Sequence, residues 1–230
     1  MHRVGLIGGL SWASTVRYYE IINKAVQARV GGMASAPLLI DSLNFAQVGR
    51  SISDSDWAGA SVVLTDAAKR LEGAGAEALL ICANSMHRVY DQVAASVGVP
   101  IFHIADAVGE EAKAKGIRSA ALVGTRNVMT ERFYRQRIVG HGVSLLPADP
   151  DLVERIDRIV YDELVMGRAT RESERFMKSE FTDIAKEDVQ AIILACTELE
   201  AIVDVNANVL PILDSTRLHA MKAVDFILSS

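Results

Sequence analysis

The sequence predicts an α/β protein made from two copies of one folding unit. Short apolar runs alternate with longer amphipathic stretches along the chain, which implies parallel strands covered by helices on both faces. Three signals then recur in the same order in each half. VGLIGG and AALVGT both end a strand at glycine, with Gly8 and Gly124 116 positions apart. ALLICANS and AIILACTE both end a strand at cysteine, with Cys82 and Cys196 114 apart. VPIFHIADA and VLPILDSTRLHA both open on a proline-isoleucine strand, with Pro100 and Pro211 111 apart. Matched signals at a nearly constant offset mark an internal duplication.

Taken in order, RVGLIG (3–8) reads as a strand leading to a helix from about Ser14 to Arg29. APLLIDSL (36–43) leads to a helix from about Asp56 to Glu72, with Arg50 on the loop between them. ALLIC (78–82) precedes a helix over Ser85 to Ser96, and VPIFHI (99–104) precedes one ending near Gly116. SAALVG (119–124), VSLLPA (143–148), AIILAC (191–196) and VLPIL (209–213) continue the alternation. The charge-rich RATRESERFMKSE (168–180) reads as a solvated helix face or an interface.

Composition narrows the function. A chain of 230 residues, half of them hydrophobic, can bury a sizeable core. A net charge of -5 offers no general attraction to nucleic acid or to anionic lipid. The first apolar run, VGLIGGL, is too short to span a membrane and has no cleavage site after it, so it reads as a strand. Two cysteines and no export signal make the cytoplasm the expected compartment. No CxxC, HxxxH, GxGxxG or GK[ST] pattern is present, so neither a metal nor a nucleotide cofactor is expected. Every lysine falls in a predicted helix, none at a strand's carboxyl end where a pyridoxal phosphate Schiff base would be expected.

The cysteines carry the chemistry. One cysteine at the end of a buried strand usually just packs. Two at equivalent repeat positions, each followed by short polar residues, point to function. Ligands of open parallel sheets bind beyond the strands' carboxyl ends, so two facing lobes would place Cys82 and Cys196 on opposite walls of one cleft. The glycines after the first strand are expected to turn the chain tightly, leaving amides toward the cleft. Ser11 or Ser14 could cap the following helix, and Thr125 is the second lobe's counterpart after Gly124. His87, one turn beyond Cys82, is either a cation that lowers its thiol pKa or a partly exposed polar residue; His219 carries the same two readings. Trp12, Tyr18 and Tyr19 read as packing residues.

These segments resemble a known family. ICANSMH is similar to the CNT-type motif, and LACTELE to the GCTE-type motif, of the cofactor-independent aspartate/glutamate racemases; GLIGGLSWAST resembles the opening of their aspartate-racemase branch. CTE rather than CTH favours that branch. Ser85 stands where threonine is usual, and Ala195 where glycine is usual. The resemblance implies two pseudo-symmetric lobes, residues 1–104 with 214–230 and residues 105–213, with the active site between them and commonly a homodimer. It implies Cys82 and Cys196 as catalytic, and Ser11, Asn84, Ser85, Thr125 and Thr197 as substrate-binding. Glu198, within the second motif, is taken as a substrate-binding residue too. Arg50 is a possible partner for a substrate side-chain carboxylate.

The implied activity is racemisation of aspartate, glutamate or a related amino acid without a cofactor. One thiolate removes the Cα proton while a thiol protonates the opposite face. A free thiol has a pKa of about 8.5, so helix N-terminal amides are expected to lower at least one of the two. Maleate cis-trans isomerases and hydantoin racemases share the fold and the cysteine pair. A non-catalytic small-molecule sensor is the remaining alternative, although binding alone needs neither cysteine.

Overall fold

The computed structural model describes the backbone of residues 1–53 and 56–229, with side chains over the same ranges except 50–53. The chain forms two compact units, Met1–Ile104 with His219–Ser230, and Ala105–Leu218.

In the first unit β1 (Val4–Gly8), β2 (Leu38–Ser42), β3 (Ala78–Ile81) and β4 (Ile101–Phe102) form a parallel sheet in the order β2-β1-β3-β4. In the second, β5 (Ser119–Gly124), β6 (Ser144–Leu145), β7 (Ala191–Ala195) and β8 (Ile212–Asp214) repeat it as β6-β5-β7-β8, again all parallel. β1, β3 and β7 are buried along their whole length, as expected of strands covered on both faces. In each sheet the order reverses beside the first strand, so the switch point lies between β1 and β3, and between β5 and β7. That is where a parallel sheet opens a crevice at its carboxyl ends. The glycine-ended and cysteine-ended strands of the sequence are these neighbours.

The helices are α1 (Trp12–Val30), α2 (Phe45–Ser53), α3 (Trp57–Gly73), α4 (Tyr90–Ala94), α5 (Ile104–Ala114), α6 (Arg126–Thr130), α7 (Arg132–Gly140), α8 (Pro150–Arg158), α9 (Arg171–Ile184) and α10 (Ser215–Ile227). Strand alternation assigns the faces. Ile7, Leu79 and Ile81 pack against Leu64, Ala67, Ala68 and Leu71 of α3. Val4, Leu6, Leu80 and Cys82 pack on the other face, against Tyr18, Ile22 and Val26 of α1 and Ala223, Val224 and Ile227 of α10. In the second unit Ile192, Leu194 and Cys196 share a core with Val153 and Ile156 of α8 and Met177 and Phe181 of α9.

Several elements differ from the sequence reading or were not covered by it. α2 occupies the stretch expected as a loop, started by Asn44, whose Oδ1 accepts from the Ala46 amide at 3.0 Å. The helix expected over Ser85–Ser96 is a 3₁₀ turn, Ser85–Val89, followed by α4. The His87 ring takes the Ala83 carbonyl (2.8 Å) that a fourth-residue helical amide would use, and the His87 amide falls back to Asn84 O at 3.2 Å. α8 runs on into a π-helix, Ile159–Leu164. The VPIFHI and VSLLPA strands shrink to two residues each. The 168–180 stretch is mostly α9, which buries Ser173 and Met177, packs Phe176 partly against the core, and leaves most of its charged residues outward.

Candidate active site

The turn after β1 admits only glycine at one position. Gly9 has φ +72°, and a Cβ there would stand 2.0 Å from the Leu43 carbonyl oxygen. Its amide is not left open to a ligand as expected, because it donates to Thr15 Oγ1 at 2.8 Å. Ser11 is the N-cap of α1, its Oγ accepting from the Ser14 amide at a long 3.5 Å. Ser14 itself is buried and donates from Oγ to the Cys82 carbonyl at 3.0 Å. It ties α1 to the end of β3.

Cys82 is fully buried, with its amide donating to Ile7 O at 3.0 Å. Asn84 is buried and sits at the N-cap of the 3₁₀ turn without capping it; Ser85, half-buried, begins that turn. Burial alone pushes the Cys82 thiol far above its usual range. The expected lowering by helix amides is absent here.

The Cys196 end is built differently. Its thiol, 5% exposed, donates to Glu198 Oε2 at 3.3 Å. Its pKa is also raised, first by burial and then by the Glu198 charge; the amides of Leu199 and Glu198 pull the other way and lose. Thr197 is half-buried at the N-cap of the 3₁₀ turn Glu198–Ala201. Thr125, half-buried, occupies the N-cap of α6 without using its side chain there. Both cysteines are therefore protonated thiols at rest, and only Cys196 faces a carboxylate two residues on. Asn84 holds the matching position after Cys82.

Neither reading of the two histidines survives. His87 is buried, and its Nε2 accepts from the Ile104 amide at 3.2 Å, which leaves the proton on Nδ1 for Ala83 O. It is a neutral backbone clamp, neither exposed nor a cation. His219 is buried too, bridging the Phe102 carbonyl (2.9 Å) and the Tyr18 hydroxyl (2.8 Å), and burial holds its pKa well below the usual value. Of the three aromatics read as packing, only Tyr18 packs; Trp12 is 75% exposed and Tyr19 51%. The Arg50 backbone lies in α2, and its side chain is outside the described residues. Among the described residues no three His, Cys, Asp or Glu side chains converge to hold a metal ion, and no helix is long and apolar enough to cross a membrane.

Each of the duplicated parallel sheets thus has a buried free cysteine at the end of a central strand. A sequence model of the Asp/Glu/hydantoin racemases matches residues 7–223. The chain belongs to this family. A crystal structure of a candidate Asp/Glu racemase from Yersinia pestis superposes with a TM-score of 0.92 at 37% identity, covering 100% of both chains. An aspartate racemase homologue from Pyrococcus horikoshii OT3 gives 0.86 at 30% identity, again over 100% of each. The broad specificity amino-acid racemase RacX of Bacillus subtilis is 22% identical over 166 residues, 72% of this chain and 71% of that one. As a racemase-family member the protein is an enzyme of the isomerase class, and its two-sheet architecture is the family's fold.

Sequence reasoning took Ser14 only as a possible helix cap and passed over Thr15, whose hydroxyl accepts from the Gly9 amide.

Proposed function

We propose that the protein is a cofactor-independent amino-acid racemase in which Cys82 and Cys196 serve opposite faces of Cα. The observation that carries this reading is the pair of buried free thiols, one at the end of each duplicated central strand. Neither is needed for folding as a disulfide, and each is the right chemical type for proton transfer at carbon. One cysteine, as thiolate, takes the Cα proton and becomes a thiol. The other gives its proton to the far face and becomes a thiolate, ready for the reverse reaction.

Glu198 supplies the asymmetry that starts the cycle. Passing the Cys196 proton to a carboxylate is uphill, the more so because burial raises the thiol pKa. A substrate ammonium group placed against the Cys196 sulfur favours the thiolate and offsets part of that cost. Asn84 cannot accept a proton, so Cys82 starts as the acid. Asn84, Ser85, Thr125 and Thr197 are the hydroxyl and amide groups this reading assigns to the substrate carboxylate, whose developing charge they stabilise. Aspartate, glutamate or a related amino acid is the substrate class, a reading supported by the names of the relatives. In this reading the enzyme is a cytoplasmic homodimer.

The test is proton NMR in deuterated water with a panel of L and D amino acids, using chelated protein without added pyridoxal phosphate. Loss of the Cα–H signal together with interconversion of enantiomers is the expected result. Activity that vanishes on dialysis and returns only with a cofactor would overturn the proposal; binding without exchange would make the protein a sensor. Exchange confined to hydantoins would move it to the family's other branch.

A further inference from the structure

In a parallel ladder, a strand residue donates its amide to one partner residue and accepts from the amide two places further on. β1 and β3 pair in register up to Ile7 and Ile81, and the Cys82 amide still donates to Ile7 O at 3.0 Å. The next rung of this ladder would be the Gly9 amide donating to the Cys82 carbonyl. Gly9 instead turns out of the strand at φ +72° and sends its amide to Thr15 Oγ1 at 2.8 Å. The Cys82 carbonyl accepts from Ser14 Oγ at 3.0 Å. Two adjacent side chains of α1 thus take the two halves of the lost bond. Thr15 completes the exchange by donating from Oγ1 to Ser11 O at 3.1 Å.

The exchange lets β1 leave the sheet at Gly9 while the end of β3 stays in place. Both backbone groups of Cys82 remain bonded, and the next carbonyl, Ala83 O, is held by the His87 ring at 2.8 Å. Rotation about Cα–Cβ is then the main freedom left to the thiol. Ser14 and Cys82 are both buried, so water is poorly placed to replace the hydroxyl, and a buried carbonyl left without a donor is costly. Without Ser14 the strand end would shift to find one. The second unit does not repeat the device. Thr130 stands six positions after Gly124, as Ser14 does after Gly8, but it is exposed and donates to Arg126 O of its own helix at 2.8 Å. The bond therefore acts on one cysteine of the pair.

We infer that Ser14 is a positioning residue for Cys82, its hydroxyl standing in for the ladder amide and fixing the strand end that presents the thiol. The inference rests on the racemase reading for the reaction in which Cys82 takes part. In the full-length protein, Ser14→Ala should lower kcat about ten-fold or more with KM little changed, because a misplacement of about 1 Å can cost about a hundred-fold. Ser14→Thr, which keeps the hydroxyl, should recover most of the rate. Added to Cys196→Ser, Ser14→Ala should slow deuterium wash-in on the Cys82 face by the same factor. Added to Cys82→Ser, it should leave wash-in on the Cys196 face as it was. Equal slowing in both backgrounds, or slowing in neither, overturns the inference, since a residue that only packed would not choose one face. Cysteine labelled with carbon-13 at the carbonyl gives a readout that needs no substrate. Of its two resonances, assigned with the Cys82→Ser variant, the Cys82 one should move upfield in Ser14→Ala and the Cys196 one should stay. A moved Cys82 resonance in a protein that exchanges no Cα–H upholds the positioning and overturns racemisation alone; an unmoved one overturns the role of Ser14.

Discussion

At the residue scale, the two thiols are alike in burial and unlike in partner, and the difference is measurable. Cys82→Ser and Cys196→Ser should both abolish racemisation, since a serine hydroxyl is a much weaker acid–base group. In each variant the remaining thiol can still remove and return a proton on its own face. One variant should therefore wash deuterium into the L enantiomer only and the other into the D enantiomer only. Near-normal racemisation by either variant would refute the two-thiol mechanism. Glu198→Gln separates the two effects of the carboxylate. Removing the charge takes away one of the influences that raise the Cys196 pKa, so Cys196 should alkylate faster at neutral pH. Removing the proton acceptor should slow exchange on the Cys196 side by roughly 100-fold, the lower end of general-base effects. Undiminished exchange in this variant would relegate Glu198 to packing.

At the element scale, the carbonyls that end β3 and β4 are held by side chains from elsewhere in the first unit. Ser14 of α1 takes Cys82 O, His87 takes Ala83 O, and His219 of α10 takes Phe102 O. The His87 clamp needs a neutral imidazole, because its Nε2 accepts from the Ile104 amide. His219 packs against the His87 ring at 5.4 Å between centroids and against Tyr18, and His87 lies 4.5 Å from His103. Burial first, and the neighbouring His87 second, depress the His219 pKa, while its bond to Phe102 O only partly opposes them. The unfolded chain gains a proton at about 6.5 that the folded one refuses, so proton uptake favours unfolding. Stability should be complete above that pH and fall as the pH drops below it, by up to about 1.4 kcal/mol per unit for this group. Urea midpoints compared at pH 7.5 and 5.5 test this. The wild type should lose midpoint at the lower pH, and His219→Gln should show a flatter dependence. An unchanged wild-type midpoint would contradict a neutral buried His219.

At the scale of the whole molecule, the duplication goes deeper than the three matched motifs. The sheets share one strand order, and ten residues after each strand-ending glycine stands a fully buried tyrosine, Tyr18 and Tyr134. The fold class, the strand ends and both cysteines were legible because each rests on a local property: apolar run length, a glycine at a turn, a residue type at a repeat position. The α2 helix was legible in part, through Asn44, but its Gly- and Ser-containing stretch reads as loop on propensity. What the histidines do was not legible. Their roles depend on bonds to carbonyls at strand ends, and for His219 the acceptor lies 117 positions away. Ser14 meets the Cys82 carbonyl across 68 positions. Local pattern thus determined the fold class and the two strand-end positions at which the cysteines stand. Tertiary structure decided their protonation and their partners, because burial and hydrogen-bond pairing are set by contacts between segments distant in the chain.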